Sequence, residues 1–247
     1  MAATPFHIAL VGNPNSGKSS LFNCLTGLNQ KVGNFPGVTV DKHSGFTQLA
    51  NGASIQVTDL PGTYSLYPKR LDEWVSYRVL LGKDNAVQPD LFVVVIDASN
   101  LKRNLLFCSQ ILDLKRPVVV AMTMTDLAKQ KGIQINLAQL EREVAINPRK
   151  GKGIPALKKI IEQSAQHLYK VPARDFIDNA ALAPAAIKDV QVIDSTASDY
   201  AAVHLLINHE QFPFTPDVQE KIEAVEQAHA FNPTKTQAAE IIQRYGR

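Results

Sequence analysis

Short runs that are apolar at nearly every position mark the first two thirds of the chain: Phe6 to Val11, Leu91 to Ile96 and Pro117 to Met122. Runs of this length with no polar face are strands buried on both sides, as a parallel sheet requires. Between them the period changes. Leu21, Phe22 and Leu25 fall on one face of a helix from about Lys18 to Thr26, and further helices are expected over Leu71–Leu81, Asn104–Leu114, Leu137–Glu143 and Ile154–Leu168. Asp41 to Ala50 and Ala53 to Thr58 flank Asn51-Gly52, which predicts two antiparallel strands joined by a tight turn. Asn29 to Thr39 mixes Gly, Pro and polar residues and reads as a long loop, and Val144 to Asn147 reads as a short strand. Strands alternating with helices give an α/β fold with a doubly wound, mostly parallel sheet.

Around Val171 to Arg174 the pattern shifts. Residues 175–247 contain no convincing strand, and Pro184, Pro213, Pro216 and Pro233 divide them into short helices expected near 184–192, 197–209, 216–230 and 234–245. Two parts follow: an α/β domain over 1–171 and a small all-helical subdomain over 172–247.

Composition changes this picture little. The 247 residues are 45% hydrophobic and 20% charged, the range of soluble globular proteins. The net charge is +3 with no dense Lys/Arg run, so no nucleic-acid partner is expected. No stretch reaches the ~18–20 consecutive apolar residues of a membrane helix, and Met1 to Pro5 lacks the pattern of a secretion signal. Cys24 and Cys108 form no C-x-x-C pair and are expected to be buried free thiols in a reducing compartment.

The chemistry enters at Gly12-Asn13-Pro14-Asn15-Ser16-Gly17-Lys18-Ser19, between the first strand and the first helix. Strand, glycine-bounded loop and helix in this order form a phosphate-binding P-loop: consecutive backbone N–H groups converge on one anion at the positive end of a helix. Lys18 reaches β- and γ-phosphates, and Ser19 offers a hydroxyl to Mg²⁺. In an open parallel sheet the ligand lies at the carboxyl ends of the strands. Asp59 of Asp59-Leu60-Pro61-Gly62 sits there, suited to holding Mg²⁺ through water while the Gly62 N–H meets a γ-phosphate oxygen. Thr39 fits a switch residue whose hydroxyl joins Mg²⁺ when γ-phosphate is present. Asp126, in Thr123-Met124-Thr125-Asp126, can accept two hydrogen bonds from the N1–H and N2–H₂ edge of guanine, which adenine cannot supply; taken alone it also reads as a helix cap.

Together these motifs follow the order of a small GTPase of the translation-factor/Ras superclass. Val32-Gly33-Asn34-Phe35-Pro36-Gly37-Val38-Thr39-Val40, Asp59-Leu60-Pro61-Gly62-Thr63-Tyr64-Ser65-Leu66 and Val95-Ile96-Asp97-Ala98-Ser99-Asn100-Leu101-Lys102-Arg103-Asn104-Leu105 narrow it. With the P-loop, they resemble the ferrous-iron transport protein B (FeoB) family of bacteria over roughly residues 6–170, and that family appends a helical subdomain before its membrane region. The resemblance implies slow hydrolysis of Mg²⁺·GTP to GDP on the cytoplasmic side of the bacterial inner membrane. It also implies coupling to Fe²⁺ uptake through the chain's own C-terminal transmembrane domain, outside this sequence. A homo-oligomer is compatible with it. K⁺ activation is implied too, with Asn15 and Asn34 matching the positions of the potassium ligands. The implied nucleotide set is Gly12, Asn13, Pro14, Asn15, Ser16, Gly17, Lys18, Ser19 and Ser20 with Asp59, Leu60, Pro61 and Gly62. At the base stand Thr123, Met124, Asp126, Asn147 and Pro148, while Lys18, Thr39 and Gly62 act on the γ-phosphate.

Three departures stand out, the first being that Ile146-Asn147-Pro148-Arg149-Lys150-Gly151-Lys152-Gly153 stands where the family usually reads S/T-A, with Asn147 the best position for contact to the base. Thr63 occupies the place where Ras-like enzymes carry a water-orienting Gln, so the water is expected to be oriented otherwise. Thr123 stands where the base motif usually begins with Asn, and one lost neutral hydrogen bond lowers guanine affinity by about 0.5–1.5 kcal/mol. His43, His204, His209 and His229 show no ligand spacing, so exposed or capping places are expected for them rather than an iron site. A soluble RNA- or ribosome-associated GTPase shares the nucleotide motifs, but the tail has no KH-type G-x-x-G loop. A nucleotide sensor without catalysis is the third reading.

Overall fold

In the computed structural model the described residues are 5–27, 30–34, 40–135, 143–145, 151–166, 171 and 174–246, with backbone only for 30–34 and 143–145. The strands in chain order are β1 (His7–Gly12), β2 (Gln30–Asn34), β3 (Asp41–Gln48), β4 (Ser54–Asp59), β5 (Leu91–Asp97), β6 (Val118–Thr123) and β7 (Glu143–Ala145). Among the described residues they form one sheet in the order β2-β3-β4-β1-β5-β6-β7. The neighbours β4-β1-β5-β6-β7 are parallel, and β3 and β2 extend the β4 edge antiparallel.

The continuous apolar runs are explained by a layer on each face. Ile8 and Leu10 point to one side, where they meet Leu21, Phe22 and Leu25 of α1 (Lys18–Thr26) and Leu157 and Ile161 of α5 (Ile154–Ala165). Ala9 and Val11 point to the other, with Val75 and Val79 of α2 (Leu71–Leu80) and Phe107 and Ile111 of α3 (Leu101–Asp113). That second core continues without a break into the C-terminal helices through Ile187, Val190, Tyr200, Val203 and Ile222. Those helices are α6 (Pro184–Ile193), α7 (Asp199–Asn208), α8 (Pro216–Ala228) and α9 (Pro233–Tyr245). Proline begins three of them because its missing N–H would be unpaired in the first turn anyway.

Four expectations change. Residues 30–34 form edge strand β2 rather than loop, held by backbone pairing to β3 without the alternating apolar side chains that would announce a strand. Glu143 belongs to β7 and not to a helix; residues 137–142 of the expected helix lie outside the described residues, as do 146 and 147 of the expected strand. His204 is fully buried in the middle of α7, whereas His209 and His229 occupy the C-cap positions of α7 and α8. Cys108 is buried and Cys24 only half-buried.

His204 is caged by the rings of Tyr67, Tyr77 and Tyr200, with the Tyr77 hydroxyl 3.2 Å from Nδ1. Burial foremost, and then the nearby Arg244 cation, lowers its pKa to about 4 against the pull of Glu240. The unfolded chain protonates this ring near 6.5 while the folded chain keeps it neutral, so the unfolded state binds more protons between those values. Stability from this group is therefore complete above pH 6.5 and declines as pH falls towards about 4. The expected loss is on the order of 3 kcal/mol. Urea unfolding midpoints across that window check it; a flat profile would remove His204 as a source of acid sensitivity.

Candidate functional site

β1 stops at Gly12 because a Cβ there would sit 2.3 Å from the Val95 carbonyl oxygen, so only glycine lets the chain turn away this close to β5. The loop folds back on itself through Ser16 N–H donating to the Asn13 carbonyl at 3.2 Å, and Asn15 takes a left-handed φ of 64°. Asn tolerates that conformation better than other side-chain-bearing residues. The loop delivers the chain into α1, whose first residue is Lys18.

Above this loop lies a cavity of about 560 Å³. Its lining includes Asn13, Pro14, Asn15, Gly17, Lys18, Ser19 and Ser20, with Gly62 and Met124 on other elements. Lys18 is buried with its Nζ on Asp59 Oδ1, and Ser19 Oγ donates to Asp59 Oδ2 at 3.3 Å. A cation, a hydroxyl and a carboxylate thus meet at the carboxyl end of β4. The oxygens of Ser19 and Asp59 are hard donors of the kind that could hold a divalent cation, and Lys18 could neutralise phosphate charge. Asn13 Oδ1 and Ser16 Oγ are buried without a hydrogen-bond partner among the described residues.

Gly62 lines the cavity from the segment after β4. A Cβ on it would come within 3.0 Å of Pro14 N, so the segment after Asp59 rests directly on the P-loop. Thr63 N–H donates to the Gly12 carbonyl at 3.3 Å, and Ser76 of α2 donates to the Pro61 carbonyl at 2.6 Å. Beyond this, the Arg103 guanidinium stacks 3.8 Å from the centre of the Tyr64 ring, and Leu66 N–H donates to Gln110 Oε1 at 3.0 Å. Tyr67 then donates to Glu240 of α9.

At the far end, Thr123 closes β6 buried behind Gly17 rather than facing the cavity. Its hydroxyl lies 2.6 Å from the Ser16 carbonyl and 3.0 Å from that of Ile96, and its single proton serves one of them at a time. Met124 follows with a left-handed φ of 53°, strained for a side chain of its kind, and starts the short helix α4 (Thr125–Gln130). Asp126 is exposed in the first turn of α4 and accepts from its neighbour Leu127 N–H at 3.0 Å.

The P-loop, Gly62 and Met124 are thus brought to one cavity, Asp59 joins it through Lys18 and Ser19, and Leu60 is buried in the core. Thr39, Asn147 and Pro148 lie outside the described residues; Asn34 ends β2 opposite Asp41, with its side chain outside the description. The sequence reading missed Arg70 and Asp72, which also line the cavity and belong to no motif.

The family model described as "Ferrous iron transport protein B" matches residues 6–161. The chain belongs to that family. A FeoB relative, the Fe(2+) transporter of Leptospira biflexa, is 43% identical over 166 residues, 65% of this chain and 24% of the relative. The Fe(2+) transporter of Legionella pneumophila (strain Paris) is 41% identical over 169 residues, 66% of this chain and 22% of the relative. The chain therefore spans about a quarter of the length of these curated FeoB relatives. A single-residue variant of S. thermophilus NFeoB bound to GDP superposes with a TM-score of 0.77 at 29% identity, covering 98% of this chain and 96% of that one. The cytosolic domain of L. pneumophila FeoB gives 0.76 at 30%, covering 97% and 96%. These FeoB structures thus match the chain through α6–α9 as well as through the sheet, and the fold is that of a P-loop GTPase. Among the described residues no helix is long and apolar enough to cross a membrane, and no group of three or more His, Cys, Asp or Glu is placed to hold a metal.

Proposed function

We propose that this chain binds GTP with Mg²⁺ and hydrolyses it slowly as the cytosolic G domain of a ferrous-iron transporter. The reading rests above all on Lys18 and Ser19, which line the cavity together with Gly62 and both meet the Asp59 carboxylate. The GDP in the similar S. thermophilus structure supports a nucleotide ligand.

The loop N–H groups and the positive end of α1 hold the phosphates, and Lys18 leaves Asp59 to meet the β- and γ-oxygens. Ser19 and Asp59, joined by Thr39, are the residues that would hold Mg²⁺, which supplies charge neutralisation at the β- and γ-phosphates. Gly62 N–H contacts the γ-phosphate, so its loss on hydrolysis releases the segment resting on Pro14 and drives the switch motion. Met124 borders the base pocket with Thr123 tied to the loop behind it, and Asp126 accepts from guanine, beside Asn147 and Pro148. Residues 1–171 form the G domain, and residues 172–247 connect it to a transmembrane iron-permeation domain on the inner membrane.

Asn15 carries the proposed K⁺ dependence, its amide oxygen being a suitable hard donor together with Asn34. Its φ of 64° gives it a second, purely conformational reason to be there. Asn15→Gly separates the two, because glycine keeps the backbone and removes the amide. Hydrolysis is expected to be faster in KCl than in NaCl at equal ionic strength, and Asn15→Gly is expected to bring the KCl rate down to the NaCl rate. Equal rates for the unaltered chain in both salts would exclude the potassium role. Absence of nucleotide binding with Mg²⁺ present would sink the whole reading.

A further inference from the structure

A second cavity, of about 250 Å³, is lined by the end of α2, the connection from α3 to β6, and α7 with the turn that leads into it. Leu80, Leu114, Ala201 and Leu205 give it apolar walls, and Lys83, Arg116 and Asp194 bring charge to it. It is smaller than the roughly 300–1,000 Å³ of sites that take drug-sized ligands, so its occupant must be small. Two cations against one carboxylate leave the lining with positive charge in excess.

The two cations differ in what they hold. Lys83 Nζ pairs with Asp194 Oδ2. Burial pushes the Asp194 carboxyl up, but Lys83 and the Thr196 hydroxyl and N–H, at 2.6 and 3.1 Å, hold it below the usual carboxylate range. That pair is neutral within itself. Arg116 is half-buried and, among the described residues, has no carboxylate partner. Its contacts are a long hydrogen bond to the Pro89 carbonyl at 3.4 Å and the Phe92 ring, centred 5.4 Å away. Gly82 packs so tightly on the guanidinium that a Cβ there would collide with Nη1, which fixes the group at the cavity. Burial lowers its pKa and no nearby carboxylate raises it back. A guanidinium partly withdrawn from water without a counter-charge is unfavourable, and an anion in the cavity would offset that.

We propose that this cavity binds a small amphipathic carboxylate, whose head pairs with Arg116 and whose apolar body lies against Leu80, Leu114 and Leu205. The planar guanidinium fork matches a carboxylate through two parallel N–H bonds. Inorganic phosphate would answer the charge and leave the apolar walls uncovered, whereas a neutral chain would cover the walls and leave the guanidinium unpaired. The site shares no lining residue with the P-loop cavity among the described residues, so it stands whether or not that cavity takes GTP.

The test is calorimetric titration of the 247-residue chain with sodium hexanoate, 1-hexanol and inorganic phosphate, each with excess GDP and Mg²⁺ present so that no probe collects at the P-loop. Hexanoate is expected to bind once per chain with a Kd below about 1 mM. Hexanol, which lacks the charge, and phosphate, which lacks the apolar body, are each expected to bind at least about tenfold more weakly. Arg116→Gln is expected to weaken hexanoate by about tenfold or more and to leave hexanol unchanged, and Arg116→Lys to weaken it less, because an ammonium keeps the charge without the fork. Ala201→Leu fills the cavity and keeps every charge, so it is expected to abolish hexanoate binding even if Arg116→Gln fails to fold. Melting curves of each variant establish which of them are folded. Hexanoate that binds more weakly than that limit, or equally well to folded Arg116→Gln or Ala201→Leu, overturns the proposal. So does phosphate that binds as tightly as hexanoate.

Discussion

Lys18→Ala is expected to abolish measurable GTP hydrolysis and to lower GDP and GTP affinity by on the order of 10²-fold or more. Two effects add. The substitution deletes the P-loop cation from a cavity whose other lining cation, Arg70, is largely exposed. It also strips the buried Asp59 of its ion-pair partner, leaving it the Ser19 hydroxyl as a donor. An uncompensated carboxylate then lies where phosphates must sit, so the altered site repels its ligand besides failing to attract it. Thermal unfolding separates the two. The nucleotide-free variant should melt below the unaltered protein, and GDP with Mg²⁺ should no longer raise its Tm. A normal GDP-induced rise would show that the loop N–H groups suffice without the lysine.

The largest effect on stability is expected at Glu240. This side chain is completely buried and collects four donors. Gln110 Nε2 at 3.0 Å, the Tyr200 hydroxyl at 2.7 Å and Arg244 Nε at 2.6 Å reach Oε1, and the Tyr67 hydroxyl reaches Oε2. Burial pushes the carboxyl up, yet His204, Arg244 and the two phenols hold it below the usual carboxylate range. Glu240→Ala leaves two phenols and an amide without their acceptor, and leaves Arg244 to Asp113 at 2.9 Å. Breaking a buried charge pair from one side costs about 3–5 kcal/mol, a large share of the 5–15 kcal/mol that holds a typical domain folded. Glu240→Gln keeps an acceptor oxygen and should cost less. Urea unfolding of both variants gives the measurement; a loss below about 1 kcal/mol for Glu240→Ala would show that the hub adds nothing to stability.

Much of this molecule was legible as sequence because its signals are local. Phe6–Val11 announces a strand covered on both faces, the glycines and Lys18 announce a phosphate loop, and Pro184, Pro216 and Pro233 mark helix starts by their missing N–H. What was not legible depends on partners distant in the chain. Tyr67 and Glu240 are 173 residues apart, and no periodicity joins them. Arg70 reads as an ordinary surface cation until the fold brings it to the cavity. His204 looks like a polar residue on a helix, and only the surrounding tyrosines make its burial tolerable. β2 has no pattern of its own and owes its form to β3. At Thr123 the motif directs attention to the base, whereas the hydroxyl turns to the loop.

That turn has a mechanical consequence. Thr123 ends the strand leading to the proposed base pocket, and its hydroxyl reaches the carbonyls of Ser16 in the P-loop and Ile96 in the neighbouring strand. On the reading proposed above, the loop that holds the phosphates and the strand end beside the base would then be tied together as one jaw by this hydroxyl. On the same reading, part of what gives way when the terminal phosphate is lost belongs to the Asp59–Tyr67 segment, whose last residue hangs on α9.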